Sequence, residues 1–234
     1  MDYLYMLLNL GSISIPFLFS FHPRLKFYRY WKALIIAMLL TMVVFIPWDI
    51  WFTHEGYWGF NAAYFLDTKL FGLPIEEWLF FICIPYACVF THYALLHYFP
   101  NTKLSKKQTY VISVLLWIIL AITLILNTDK WYPVINFGYA LLLIPIALKY
   151  NTELMQRYFL TFLIMLIPFF IVNGILTGSF IDDQVVWYNN DENLSIRMFT
   201  IPIEDSIYAF TMILSNLVLT EYFMKRFKAK KNAV

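Results

Sequence analysis

Apolar stretches of about 20 residues, long enough to cross a bilayer as a helix, recur along the whole chain and limit its fold. The composition agrees with spanning helices, because 61% of the residues are hydrophobic and only 14% are charged. A soluble domain carries about 25% charged residues. The sequence therefore predicts an all-α integral membrane protein. The N-terminus lacks a basic leader and a small-residue cleavage site, so the first stretch is predicted to be a span and not a removed signal peptide.

Seven transmembrane helices are predicted from these stretches. They lie at residues 3–21, 31–52, 76–99, 109–127, 131–149, 158–177 and 203–224. Basic residues cluster in the first loop, in the third loop and in the tail, where they are Lys225, Arg226, Lys228, Lys230 and Lys231. Cytoplasmic loops carry the excess of Lys and Arg, so this pattern predicts a cytoplasmic tail and an N-terminus outside. The cell membrane is the predicted location.

A short acidic motif occurs twice, at the head of the third and of the seventh predicted span. The first copy is LPIEEWLFF, residues 73–81, and the second is IPIEDSIYAF, residues 201–210. Glu76 and Glu204 are 128 residues apart, and the same offset relates Asn61 to Asn189. We therefore divide the chain into a first repeat at 1–100, a connecting span at 101–130 and a second repeat at 131–234. The single connecting span makes the two three-helix repeats parallel in the membrane.

Each acidic motif has an ordinary structural explanation and a functional one. Pro at the first helical position, followed by carboxylates, is a common start of a helix. Carboxylates at the edge of a bilayer are also costly, which makes them candidates for function. Adjacent helical residues point about 100° apart, so the two acids of one motif cannot face the same atom. One acid from each helix could face a shared cavity, with Glu76 and Glu204 as leading catalytic candidates and Glu77 and Asp205 beside them.

Other polar and aromatic side chains near the motifs are candidates for substrate binding or support. Asp49, near the end of the second span, needs a partner, and a site role or a cap or interfacial position would satisfy that need. Asn61 and Asn189 could orient the acids or form turns, and turns are favoured. The remaining candidates are Asn173, Trp78 and Tyr208.

The paired PxE(E/D) motifs, the seven-span frame and the stretch NGILT at residues 173–177 resemble the membrane-integral lycopene cyclases. The chain resembles the form in which two small subunits are fused, and the resemblance covers nearly its whole length. It implies cyclisation of the linear ends of lycopene to β-ionone rings, through γ-carotene to β-carotene. It also implies lycopene and membrane lipid as partners, with other carotenoid-pathway enzymes as further candidates, and no nucleic acid.

Carboxyl groups suit the chemistry that this resemblance implies. A general acid protonates the terminal double bond, the next alkene closes the ring on the cation, and a base removes a ring proton. Aromatic faces can stabilise the cation and exclude water. Soluble lycopene cyclases bind flavin, but the dinucleotide fingerprint GxGxxG is absent from this sequence, and no β-strand is predicted anywhere in the chain. We therefore expect no cofactor. No metal is expected either, because His92 and His97 in the third span lie five residues apart, a poor spacing for a pair of metal ligands.

Several other functions fit parts of the pattern. A carotenoid end-group hydratase would use the same protonation and quench the cation with water. A transporter or proton-coupled carrier also combines internal repeats with acids at helix ends. A retinal-binding protein needs a Lys inside its last span, where this chain has none before Lys225. Asp182-Asp183 and Asp191-Glu192 lack the helical Asp repeat of a polyprenyl transferase. On the cyclase hypothesis, Glu76→Gln or Glu204→Gln is predicted to abolish ring formation.

Overall fold

Seven α-helices make up most of the structure, a computed structural model that describes residues 3–232 and, at 231 and 232, the backbone only. The helices are α1 (Leu4–Phe19), α2 (Trp31–Glu55), α3 (Ile75–Tyr98), α4 (Lys106–Leu126), α5 (Trp131–Tyr150), α6 (Thr152–Leu176) and α7 (Ile203–Asn232). Six are long and apolar enough to cross a membrane, and α1 is a shorter apolar helix. The predicted all-α membrane fold with two repeats is confirmed. The Lys231 side chain of the predicted basic tail lies outside the described part.

Local capping makes two helices start earlier than the apolar pattern predicts. At α4, the Ser105 side chain accepts a hydrogen bond from the Gln108 backbone N–H, and the Gln108 side chain accepts one from the Ser105 N–H. At α6, the Asn151 side chain accepts a hydrogen bond from the Leu154 N–H at 3.1 Å. These caps satisfy N–H groups that the first turn of a helix leaves free, so both helices extend beyond their apolar segments.

The N-terminal ends of the odd-numbered helices meet at one end of the bundle. The hydroxyl of Tyr5, at the start of α1, donates a hydrogen bond to Glu77, at the start of α3. The hydroxyl of Tyr132, at the start of α5, donates one to Asp205, at the start of α7, at 2.6 Å. We call this end of the bundle the acid end. The last turns of α2 and α6 also reach it, because consecutive helices alternate in direction.

Six short strands lie in the loops at the acid end, although the sequence was predicted to contain none. β1 (Trp58–Phe60) pairs with β4 (Val186–Tyr188) and joins the long loops of the two repeats. β2 (Lys69–Leu70) pairs with β3 (Leu73–Pro74), and β5 (Arg197–Met198) pairs with β6 (Ile201–Pro202). The prediction was wrong here because strands of two or three residues are too short to show an alternating pattern.

The two hairpins are equivalent parts of the repeat, and each leads directly into an acidic helix. Their turns contain Phe71 and Phe199, which both adopt a left-handed backbone with φ of 52° and 59°. Bulky residues are rarely found in that conformation, so its occurrence at matching positions marks a shared local structure. The Ile75 and Ile203 N–H groups each donate a hydrogen bond of 3.0 Å to the residue seven positions earlier. The hairpins therefore fix where α3 and α7 begin.

Helix α7 is the most buried of the spans, and α4 lies at the edge. About 56% of the apolar segment of α7 is buried inside the protein, against 17% of that of α4. Helix α7 packs on α2, α3, α5 and α6, whereas α4 packs on α5 and α6. Large apolar side chains such as Ile119, Ile125 and Leu126 on α4 are exposed, as expected for a surface that faces lipid. The centre of the acid end is thus formed around α7 and α3.

Candidate active site

The first acid of each motif binds the loop before its own helix. Glu76 and Glu204 are fully buried. Glu76 Oε1 accepts a hydrogen bond from the Leu66 N–H at 2.8 Å, and Glu204 Oε1 accepts one from the Leu194 N–H at 2.6 Å. Each carboxyl group therefore holds a backbone N–H ten residues upstream, which positions the hairpin. Neither side chain lines the cavity described below.

Two buried asparagines secure the same two helix starts. The Asn9 side chain on α1 donates a hydrogen bond to the Glu76 backbone carbonyl at 2.8 Å. The Asn136 side chain on α5 donates one to the Glu204 carbonyl at 2.7 Å. The first helix of each repeat is thereby bound to the third, and the adjacent acid side chains are held at fixed positions.

The second acid of each motif lines a shared cavity of about 80 Å³ at the acid end. Glu77 approaches it from the first repeat and Asp205 from the second. Each is the acceptor for the tyrosine at the start of its neighbouring helix, Tyr5 for Glu77 and Tyr132 for Asp205. The cavity therefore lies between two equivalent acid–tyrosine pairs, as the hypothesis of one composite site requires. The sequence predicted Glu76 and Glu204 as the leading catalytic candidates, whereas in the structure Glu77 and Asp205 line the cavity.

Asp49 makes the surroundings of the two cavity acids unequal. It lies in the last turns of α2, lines the cavity and is 2% exposed. Its Oδ1 accepts a hydrogen bond of 2.7 Å from the Trp58 indole N–H. Its carboxyl group lies near that of Glu77 on the same cavity wall. Glu77 thus has a second acid as a neighbour.

Asp205 has a second hydroxyl donor instead. The Tyr188 hydroxyl, on β4, donates a hydrogen bond to Asp205 Oδ2 at 2.9 Å, while Tyr132 donates to Oδ1. Burial, and then the negative charge of Asp205, raises the pKa of Tyr188 well above its ordinary value. The Tyr188 hydroxyl therefore keeps its proton and remains a donor. Both oxygens of Asp205 are engaged by phenols, an arrangement that favours a carboxylate.

Aromatic side chains form much of the remaining wall. Trp58, Tyr208 and Phe80 line the cavity, and the β1–β4 sheet contributes Phe60, Val186 and Tyr188. This sheet needs Gly59, because a Cβ there would lie 2.4 Å from the Trp187 ring on the paired strand. The close approach of the two strands therefore depends on the missing side chain. The result is a largely apolar chamber with three carboxyl groups on its wall.

The other predicted residues fall into two groups. Asn173 and Tyr208 line the cavity together with Asp49. Asn61 and Asn189 lie away from it, where each side-chain oxygen accepts a hydrogen bond from the N–H two residues later. These contacts confirm the preference for turns over orientation of the acids. The Trp78 indole donates to the Leu70 carbonyl of the first hairpin at 3.2 Å and does not line the cavity.

Several residues at the acid end, among them Trp58 and Tyr188, are absent from the sequence-based candidates, and four of these form a duplicated pair. The four are Tyr5 and Asn9 on α1 and their equivalents Tyr132 and Asn136 on α5. In each repeat the Tyr contacts the cavity acid, and the Asn, four residues later on the same helix face, binds the helix start. The signal that could have identified them is the duplicated Tyr-x-x-x-Asn pattern at the start of two apolar spans.

These groups can carry out proton transfer inside an apolar chamber. Carboxyl groups serve both as general acids and as general bases, and different surroundings assign them different protonation states. Glu77 beside Asp49, and Asp205 beside two phenols, have such different surroundings. The aromatic wall can stabilise a cation formed between them.

Comparison with known proteins identifies the family of the chain. The model of the lycopene cyclase family matches residues 2–95 and again residues 129–223, so two regions of the chain match one model. The matched regions include both acidic motifs and both acid–tyrosine pairs. Comparisons with curated proteins and with solved structures gave no match. The family match covers most of the chain, and the chain belongs to the lycopene cyclase family.

Proposed function

We propose that the chain is a lycopene β-cyclase that converts the linear ends of lycopene to β-ionone rings at the acid end. The observation that carries the proposal is that Glu77 and Asp205, one from each repeat, line one apolar cavity with different partners. The reaction adds one proton to an end group and removes one, so it needs an acid and a base and no net redox change. A flavin-independent mechanism is part of the proposal.

Glu77 is the proposed proton donor. Two neighbouring buried carboxyl groups on the wall of one small cavity cannot both ionise at low cost, so the Asp49–Glu77 pair is proposed to retain a proton. Each acid of this pair accepts one hydrogen bond, Asp49 from the Trp58 N–H and Glu77 from the Tyr5 hydroxyl. Glu77 has one phenol donor where Asp205 has two, so of the two motif acids Glu77 is the one proposed to carry the proton. Glu77 then delivers this proton to the terminal double bond of the substrate. Asp49 acts through Glu77 and is a positioning residue.

The cation formed by protonation closes to a ring while it is held within the aromatic wall. The tertiary centre is attacked by the next alkene, which forms the ring bond and moves the positive charge into the ring. The faces of Tyr208, Trp58 and Phe80 are suited to stabilising this charge in a chamber with little water. Such stabilisation acts mainly on the charged intermediates and therefore accelerates the reaction.

Asp205 is the proposed base. Hydrogen bonds from Tyr132 and Tyr188 favour its carboxylate form, which can accept the ring proton next to the cation. Loss of that proton restores neutrality and places the double bond in the ring. A hydratase would instead direct water to the cation. The apolar wall and a carboxylate ready to take a proton favour the cyclase over this alternative.

The acid end is proposed to face the outside of the cell membrane. The cations Arg29, Lys32, Lys225, Lys228 and Lys230 surround one pocket at the opposite end. Cytoplasmic surfaces of membrane proteins carry such an excess of positive charge. This assignment places the C-terminal end of α7 in the cytoplasm and the N-terminus outside. The substrate is proposed to approach the site from within the bilayer.

Expression in cells that accumulate lycopene, followed by chromatography of the pigments, tests the proposed function. We expect β-carotene, with monocyclic γ-carotene as an intermediate. A hydroxylated linear product would support the hydratase instead. Unchanged lycopene in cells whose membranes contain the protein would contradict the cyclase and favour a carrier.

A further inference from the structure

We infer that a groove between α1 and α6 binds the polyene arm of the substrate, so that one lycopene end at a time reaches the acids. This inference rests on the proposed function and assigns a binding site for the part of the substrate that does not react. The groove has a volume of about 390 Å³, several times that of the acid cavity. Helices α1 and α6 each pack on α3, and the groove lies between them.

The groove adjoins the acid cavity. Ile84, Phe169, Asn173 and Ala209 line both spaces. The cavity is covered elsewhere by the β1–β4 sheet and by the aromatic wall around the acids. A linear hydrocarbon whose end group occupies the cavity must leave it along an apolar surface, and the groove provides one.

The surface of the groove matches a hydrocarbon chain. No charged side chain lines it among the described residues. Two of its polar groups, the hydroxyls of Ser12 and Thr91, donate hydrogen bonds to backbone carbonyls of their own helices, at 2.7 and 2.8 Å. They therefore present mainly carbon to the groove. Gly11 and Ala87 keep the groove wide, and a Cβ built at Gly11 has no neighbour within 4 Å.

The length of the groove limits how much of the substrate it can hold. Along α1 it extends from Leu7 to Pro16, which corresponds to about 14 Å at the helical rise. Extended lycopene is comparable in length with the hydrocarbon core of a bilayer, roughly 30 Å. The groove thus holds one arm of the substrate, and the remainder extends into lipid. The two rings are consequently made in separate binding events, with release of γ-carotene between them.

Substitutions at Gly11 test the inference. Gly11→Phe fills the groove without a clash at Cβ and replaces a residue of low helix propensity. We expect lycopene cyclisation to fall about tenfold or more, the size of effect that a misfit in an apolar pocket produces. Gly11→Ala and Gly11→Leu should give intermediate losses. The matched control is Ser14→Phe, which adds the same ring on an exposed face of α1 outside the groove.

The variants are compared in purified protein for initial rates with lycopene and for melting temperature. The inference is supported by three results together. Gly11→Phe melts like the wild type, and the loss of cyclisation grows with side-chain volume from Gly11→Ala through Gly11→Leu to Gly11→Phe. Ser14→Phe cyclises lycopene like the wild type. Equal rates for Gly11→Phe and the wild type would overturn the groove assignment while the cyclase function stood, and would leave the groove to lipid chains. An equal loss in Ser14→Phe would also overturn it. Failure of the wild type itself to cyclise lycopene would instead refute the proposed function.

Discussion

Glu77→Gln is expected to abolish ring formation, whereas Glu76→Gln keeps most of it. Glu77 lines the cavity and is the proposed source of the proton, and a glutamine cannot donate one to an alkene. Loss of a general acid reduces rates by roughly a hundredfold to ten-thousandfold. Glu76 lies one residue earlier but accepts the Leu66 N–H, and the amide oxygen of glutamine can accept the same hydrogen bond.

The measurement is the ratio of cyclic carotenoids to lycopene in cells that contain equal amounts of each variant in the membrane. The Glu76→Gln variant is a closely matched control, because it makes the same chemical change at the adjacent buried position. If Glu76→Gln lost all cyclisation while Glu77→Gln retained it, the acids would have the opposite roles. That result would restore Glu76 as the leading candidate that the motif alone suggested.

Asp205→Asn is expected to stop net ring formation but to leave protonation of the substrate possible. In this variant Glu77 can still protonate the terminal double bond, but the ring proton has no base to accept it. The cation then returns its proton to Glu77 and regenerates lycopene. In D₂O this reversal exchanges hydrogen at the terminal alkene, so the recovered lycopene gains deuterium. Glu77→Gln forms no cation, so its recovered lycopene stays unlabelled.

Mass spectrometry of lycopene recovered from each purified variant in D₂O measures this exchange. Glu204→Gln is the control, because Glu204 binds the Leu194 N–H outside the cavity and should continue to cyclise lycopene. Labelled lycopene from Glu77→Gln, or wild-type rates of cyclisation by Asp205→Asn, would contradict the proposed division between acid and base.

The apolar stretches were enough to predict the helices, and the duplicated acids pointed to the end of the bundle where the candidate site lies. A run of apolar residues long enough to span a bilayer is a local property of the sequence, so the spans could be found without knowledge of the packing. The 128-residue offset also pointed to one composite site, since Glu77 and Asp205 are equivalent residues on equivalent helices. The spans and the pairing of the two motifs could be predicted from the spacing of residues along the sequence alone.

The division of roles within each acidic motif could not be predicted in this way. Glu76 and Glu77 point about 100° apart, and the rotation of α3 about its axis decides which one faces the cavity. That rotation is set by tertiary contacts, among them the hydrogen bond from Asn9 and the hairpin before the helix. The proximity of Asp49 to Glu77 likewise depends on how α2 packs beside α3. Tyr5 and Tyr132 were overlooked because a single Tyr among 17 in the chain carries little information.

Wild-type cyclisation of lycopene in D₂O, with no redox cofactor added, tests the central claim most directly. The account predicts β-carotene in which each ring carries one deuterium from solvent, delivered through the exchangeable proton of Glu77. The hydrogen removed by Asp205 comes from a different carbon, so the label remains in the ring. Cyclic product without solvent deuterium, or product that forms only after a flavin or nicotinamide is supplied, would contradict acid–base cyclisation in this cavity.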